Sequence, residues 1–216
     1  MSSNSAGPRP EAAQSQELLA LRVAPPKERA DAARNRAAVL DAAAVLFAEH
    51  GVEHVSLDAI AAEARVGKGT IFRRFGDKAG LAAALLDERE RSLQERVLFG
   101  PAPLGPGGTD EPARPADRLR AFVSYYLDYV YAHLDLVRMS ETAAPGARYR
   151  VGAYRFWHRH VSLLLQALRP GDDADALAHA LLAPLAAEHL HAMLAEHGAS
   201  RVRAATLALV DAVCAR

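Results

Sequence analysis

Residues 56–81 read SLDAIAAEARVGKGTIFRRFGDKAGL. Ser56 is a favoured N-cap type, and the spacing that follows predicts a short helix ending near Ala64. Val55 and Ile60 take the two positions of a hydrophobic staple around that start. Arg65, Val66 and Gly67 form a turn, and a second short helix is predicted from Lys68 to Phe75. Gly76 closes it, and Asp77 can cap the next helix. Two short helices joined this tightly predict a helix-turn-helix, whose second helix fits the major groove of DNA.

The charge distribution agrees. Lys and Arg number 26 and Asp and Glu number 26, so the net charge is zero. That excludes a protein that coats DNA through bulk positive charge, but not one with a local basic face. Arg65, Lys68, Arg73, Arg74 and Lys78 are five basic residues between positions 65 and 78, against the single acid Asp77.

Of the 216 residues, 50% are apolar, enough for a sizeable core. Alanine and leucine dominate and period-two alternation is scarce, which predicts an all-α protein. The single cysteine, Cys214, excludes an internal disulfide and fits a reducing cytoplasm. It lies in an apolar helical pattern and reads as a buried small hydrophobe. The N-terminus carries no apolar signal core, and Glu188, His189 and His191 interrupt the best membrane-length run. The expected location is cytoplasmic, with no membrane partner.

Around the motif, residues 1–27 read as a flexible tail. Lys27, Arg29, Arg34 and Arg36 form a basic lead into a helix over 30–50, whose apolar face holds Val39, Ala43, Leu46 and Phe47. Gly51 ends that helix as a C′ residue. A long helix over 78–99, with Leu81, Leu85, Leu93 and Val97 on one side, is predicted to link two domains. A Pro/Gly-rich loop spans 100–115. A helix from Pro115 carries Leu119, Phe122, Tyr126 and Val130, and a shorter segment covers 133–143. One helix over 147–168 holds Tyr154, Trp157, Val161, Leu164 and Leu168 in register. Another over 172–197 contains Pro184, which should kink it or remove one hydrogen bond. The last helix covers 200–215.

Four stretches closely resemble the N-terminal domain of TetR-type (TetR/AcrR) transcriptional regulators. They are RAAVLDAA at 36–43, LFAEHG at 46–51, SLDAIA at 56–61 and KGTIFRRFGDK at 68–78, in order and with the expected separations. The resemblance covers about residues 34–86. It implies a three-helix helix-turn-helix DNA-binding domain, here 28–80, followed by a larger helical ligand-binding and dimerisation domain, 81–216. It also implies a homodimeric repressor released from a pseudo-palindromic double-stranded operator by a small-molecule effector.

Carried over by position, the resemblance gives residue roles. Ser56 and Lys78 match phosphate contacts, and Lys68, Gly69 and Thr70 match the leading edge of the recognition helix. Gly69 would let the backbone approach DNA closely. Phe72 matches a backbone-contacting tyrosine, and Arg74 a variable reader position. Arg73 or Arg74 is expected to read bases, because a guanidinium grips guanine through two hydrogen bonds. Arg36, in the basic lead, is the remaining candidate for DNA. Two residues depart from the family pattern: Arg65 stands where Gly is usual, and Phe72 lacks the phenolic hydroxyl. An Arg at a positive-φ position would cost about 1–2 kcal/mol, unless the turn takes another shape.

Aromatic residues and histidines concentrate in the middle helices, and Tyr126, His133, Trp157 and His160 are the candidate ligand-binding residues. Each also reads as ordinary core or surface. His158 and His160, like His189 and His191, are two apart and point to different sides of a helix. No metal site is therefore expected, with ligands from different helices left open, and no cofactor is expected. Leu177, Leu181 and Leu185 mark one face of the helix over 172–197, and Leu182, Ala186, His189 and Met193 a second. The last helix is likewise apolar on two sides, so residues 172–216 are expected to form the homodimer interface, or else to pack wholly within one subunit. The alternatives are a ligand-independent DNA-binding regulator acting through protein partners, and a helical-bundle enzyme. No nucleophile–base spacing, phosphate loop or metal motif supports the enzyme, and no catalytic residue is assigned.

Overall fold

The computed structural model describes residues 26–108, 110–150 and 152–215, the side chains of 26–29 and 88 excepted. Of the expected tail, residues 1–25 lie outside the described residues. The described chain is helical, with one isolated bridge, Gly107 to Pro112, inside the loop after the long helix.

Helix α1 spans Pro26–His50, α2 Leu57–Glu63, α3 Lys68–Phe75 and α4 Lys78–Phe99. The ends of these helices follow local chemistry. Gly51 takes φ 78° after α1, and its N–H returns to the Phe47 carbonyl at 3.0 Å. The Ser56 hydroxyl accepts from the Ala59 N–H at 3.1 Å. Asp77 caps α4 through the Gly80 N–H at 2.8 Å. Ala43, Ile60, Ile71 and Leu81 are fully buried together, so all four helices share one apolar cluster.

The turn between α2 and α3 keeps the shape that normally requires glycine. Arg65 adopts φ 53°. Its N–H bonds the Ala62 carbonyl at 3.2 Å and the Val66 N–H bonds the Ala61 carbonyl at 3.0 Å, the paired bonds of a Schellman ending. Val66 packs on the cluster beneath, and that contact holds the arginine in the left-handed region. Arg65→Gly is therefore expected to raise stability by about 1 kcal/mol, read as a shift of the urea midpoint. A loss of stability would contradict this.

Helix α4 leaves the first cluster and enters a second through Leu86, Leu93 and Val97. Around it lie α5 (Pro115–Ala132), α6 (Leu134–Thr142), the single turn α7 (Ala147–Arg150) and α8 (Gly152–Leu168). Val151, within the single helix expected over 147–168, lies outside the described residues. Phe122, Tyr126 and Trp157 pack as a tilted aromatic group, the first and third with centroids 5.6 Å apart. Leu136 and Met139 of α6 reach back onto the first cluster.

The helix expected over 172–197 is corrected by the structure. It is two helices, α9 (Ala174–Leu182) and α10 (Ala187–His197), separated by a 3-10 turn at Ala183–Leu185. Pro184 cannot donate a helical hydrogen bond, and Ala186 swings to ψ 136°, so the axis breaks instead of bending. A buried ion pair closes the wound. One Glu141 oxygen accepts from the Ala187 N–H at 2.8 Å, at the start of α10. Arg148, bonded to the other Glu141 oxygen, donates to the Leu182 carbonyl at 3.0 Å, at the end of α9. Each charge thus faces the helix end of opposite polarity. Helix α11 (Ala199–Cys214) completes the chain. Cys214 is partly buried against the second cluster.

Candidate DNA interface and effector cavity

Helix α3 is pinned by Ile71, fully buried, and presents its other sides outward. Lys68, Gly69, Phe72, Arg73 and Arg74 are exposed, and Thr70 is half-buried. A Cβ added at Gly69 would meet nothing within 4 Å, so the backbone there stands open to a close-approaching surface. Phe72 is 48% exposed, an apolar ring held where a flat partner can press on it.

The basic side chains are not equivalent. Lys68 pairs with Asp58 at 2.7 Å, both largely exposed, a contact weak enough to exchange for phosphate. Arg74 turns back and donates to the Ala32 carbonyl of α1. Lys78 gives its three N–H groups to the carbonyls of Val52, Glu53 and Val55 at 2.9, 3.1 and 3.2 Å. In this state Lys78 closes the turn before α2 and does not stand ready for phosphate. Arg73 is exposed and turns neither to α1 nor to an acid in any described contact. It becomes the stronger reader candidate of the two arginines. Ser56 is exposed while serving as N-cap, and Arg36 is half-buried on α1.

A cavity of about 40 Å³ opens among α4, α5, α6 and α8. Two of the candidate ligand-binding residues, Tyr126 and Trp157, line it, together with Tyr154, another aromatic of the middle helices, and with Asp87, Glu90 and Glu141, which the sequence reading did not single out. Glu90 carried a signal. It falls in the stripe Leu86, Glu90, Leu93, Val97, where a helix turns its apolar side inward. Glu141 is neutralised by Arg148, whereas among the described residues the Glu90 carboxyl receives only the Tyr129 hydroxyl, at 3.1 Å. Burial, with help from Asp87 and Glu141, pushes the Glu90 carboxyl up to about 7.

The other two candidate ligand-binding residues lie elsewhere. His160 does not line the cavity: it packs edge-on to Phe122 at 5.2 Å, and its Nε2 is buried without a hydrogen-bond partner among the described residues. Burial, and then Arg118, lower its pKa to about 4, so it is a neutral core residue. His133 accepts from Arg89 at 2.8 Å in a groove of about 380 Å³ between α1, α4 and the start of α6.

Glu90 and His160 have opposite effects on the pH dependence of stability. The unfolded Glu90 ionises near 4.5 and the folded one near 7, so between these values its contribution falls as pH rises. His160 ionises near 6.5 unfolded and 4 folded, so its contribution falls as pH drops through that range. Glu90→Gln removes only the first term. Relative to the parent, its stability should rise by about 1.4 kcal/mol per pH unit from about pH 4.5 to 7. Urea titrations across that window measure the difference, and parallel pH curves for the two proteins would contradict the raised Glu90 carboxyl.

An exposed basic helix over an apolar three-helix cluster, joined by one long helix to a second cluster, defines a helix-turn-helix transcriptional regulator. Residues 39–85 match the family model described as bacterial regulatory proteins, tetR family. The chain is 35% identical over 151 residues to the HTH-type transcriptional repressor Rv3405c of Mycobacterium tuberculosis, covering 67% of each chain. It is 28% identical over 159 residues to the HTH-type transcriptional repressor SCO4008 of Streptomyces coelicolor, covering 71% of this chain and 73% of that one. Among solved structures, a TetR-family regulator from Pectobacterium atrosepticum aligns with TM-score 0.60 at 22% identity, over 86% of this chain and 94% of that chain. FadR of Thermus thermophilus, solved with lauroyl-CoA, aligns with TM-score 0.57 at 18% identity, over 81% and 92%. The chain belongs to the tetR family of bacterial regulatory proteins. It is a DNA-binding transcriptional regulator and not an enzyme.

Proposed function

We propose that the protein is a homodimeric repressor whose two α3 helices bind a pseudo-palindromic operator, and that a positively charged small molecule releases it. Residues 28–80 act as the DNA-binding domain and residues 81–216 as the effector and dimerisation domain. The observation that carries this reading is the reach of α4. One helix holds Lys78 beside the DNA-facing turn and Glu90 in the wall of the cavity.

The small size of the cavity supports the coupling. Sites for drug-sized ligands measure about 300–1,000 Å³, so an effector must spread the walls to enter. Those walls are α4, α5, α6 and α8, and α6 also touches the first cluster through Leu136 and Met139. Displacing α4 and α6 together moves the DNA-facing helices of each subunit, and two heads mis-spaced for adjacent half-sites lose the operator. The lining supports the charge. Three aromatic rings beside Glu90, which no cation neutralises among the described residues, suit an organic cation, through cation–π contacts and a direct ion pair. Binding would draw the Glu90 proton off, so effector affinity should rise with pH through about 7.

Dimerisation through 172–216 is supported by the outer side of α11. Leu209 is 53% exposed there and flanked by exposed Ala205, Ala208 and Ala212. Small residues around an exposed leucine let a second copy approach closely. A two-fold pair also matches the symmetry of a palindromic site. No helix of the described residues is long and apolar enough to cross a membrane.

The test is a panel of organic cations, anions and neutral molecules, scored by thermal shift and by release of bound operator. Cations should stabilise the protein and release DNA, and Glu90→Gln should lose both responses. Release by anions alone, or an undiminished response of Glu90→Gln, would overturn the cationic reading.

A further inference from the structure

Three metal-ligating side chains from two helices converge outside the Glu90 cavity. Asp175 and His179 stand four residues apart on α9, so they project from one side of that helix. His158 reaches them from α8. Its ring stacks on that of His179 with centroids 3.9 Å apart, and its Nε2, which donates to the Asp175 main-chain carbonyl at 3.1 Å, lies 3.6 Å from an Asp175 carboxylate oxygen, so a bound ion replaces that hydrogen bond and its proton. One ligand atom from each residue lies within 4.8 Å of the other two. The spacing of the histidines argued against a site on one helix, and this one completes itself from a neighbouring helix.

The surroundings are those a ligating histidine needs. His179 Nδ1 is 2.7 Å from the Tyr154 hydroxyl, which fixes the ring and leaves Nε2 to bind. Tyr154 is itself held, with the Arg148 guanidinium 5.2 Å from its ring centroid. His158 is 15% exposed and supplies a fixed arm, while Asp175 is 72% exposed and can rotate inward.

We propose that His158, Asp175 and His179 bind a divalent first-row transition ion through two imidazole nitrogens and one carboxylate oxygen. Bonds of about 2.0–2.2 Å place ligand atoms about 3.4 Å apart around a tetrahedral ion, within reach of small rotations of Asp175 and His179. The donor set suits Zn²⁺, Co²⁺ or Ni²⁺ and not Mg²⁺ or Ca²⁺, which require oxygen. Water fills the outward position. Arg155 and Arg159 border the opening and weaken cation affinity relative to an acidic site. A bound ion ties α8 to α9 and stiffens Tyr154, a wall of the effector cavity.

Co²⁺ is the probe, added to untagged, chelator-stripped full-length protein. The intense visible bands of a low-symmetry site are expected in the parent and in His191→Ala, a control histidine on α10. They should disappear in His158→Ala and His179→Ala. Asp175→Asn, at an exposed position that leaves the fold intact, should raise the Co²⁺ concentration for half-saturation by about tenfold or more. Zn²⁺ should raise Tm in the parent and in His191→Ala only. Bands that persist in both histidine variants, a parent with only weak octahedral absorption, or an equal Tm rise with Mg²⁺ would overturn the site.

Discussion

Arg148→Met is expected to destabilise the protein by about 3–5 kcal/mol at pH 8. Arg148 and Glu141 have side chains only 8% and 10% exposed, and between them they satisfy both backbone ends at the Pro184 break. Removing the guanidinium leaves the Leu182 carbonyl without its donor and Glu141 buried without its cation. Burial already holds the Glu141 carboxyl above its usual range, even with Arg148 beside it. Without Arg148 it rises further and takes up a proton on folding. A raised carboxyl loses stability as pH rises through its folded pKa, so the penalty should shrink toward acid. Urea unfolding of Arg148→Met at several pH values measures this. A loss below about 1 kcal/mol, or one independent of pH, would contradict the role given to the pair.

Arg73→Ala is expected to weaken operator binding by about 1–3 kcal/mol per half-site, and twice that for a dimer on both. Relaxed preference at one base pair in each half should accompany it. Arg74→Ala serves as the internal comparison. Its guanidinium is turned to the Ala32 carbonyl, so its loss should affect the seating of α3 on α1 more than base choice. Titration of each variant against the operator and its single-base mutants separates the two. Unaltered preference in Arg73→Ala, with altered preference in Arg74→Ala, would reverse the assignment.

The all-α fold was legible because helix ends are written in short-range chemistry. Ser56, Gly76 and Asp77 act where their types predict, and both Lys68–Phe75 and Lys78–Phe99 match the expected spans. Pro184 was legible as a kink or a lost hydrogen bond because a proline's missing donor is local. Whether the axis bends or breaks depends on distant groups able to satisfy the freed ends, here Glu141 and Arg148. Arg65 was legible as a conflict. Its resolution rested on Val66 packing, which spacing does not reveal. On the DNA side, residue type marked the basic face but not which cations it holds in check. Lys78 and Arg74 have carbonyl partners 23 to 42 residues away. In the cavity, aromatic residues drew attention to His160, whereas the polar residues that line the space include Asp87, Glu90 and Glu141. A charged residue inside an apolar stripe was the better guide.

The central claim is that this chain places two α3 helices in successive major grooves of one operator. Footprinting of the purified protein on DNA containing inverted repeats, at moderate salt, tests it most directly. Two protected stretches centred about 10 bp or a multiple of it apart, filled by an even number of chains and lost together on effector addition, are the predicted result. Protection of a single half-site by one chain, or none on any inverted repeat, would contradict it.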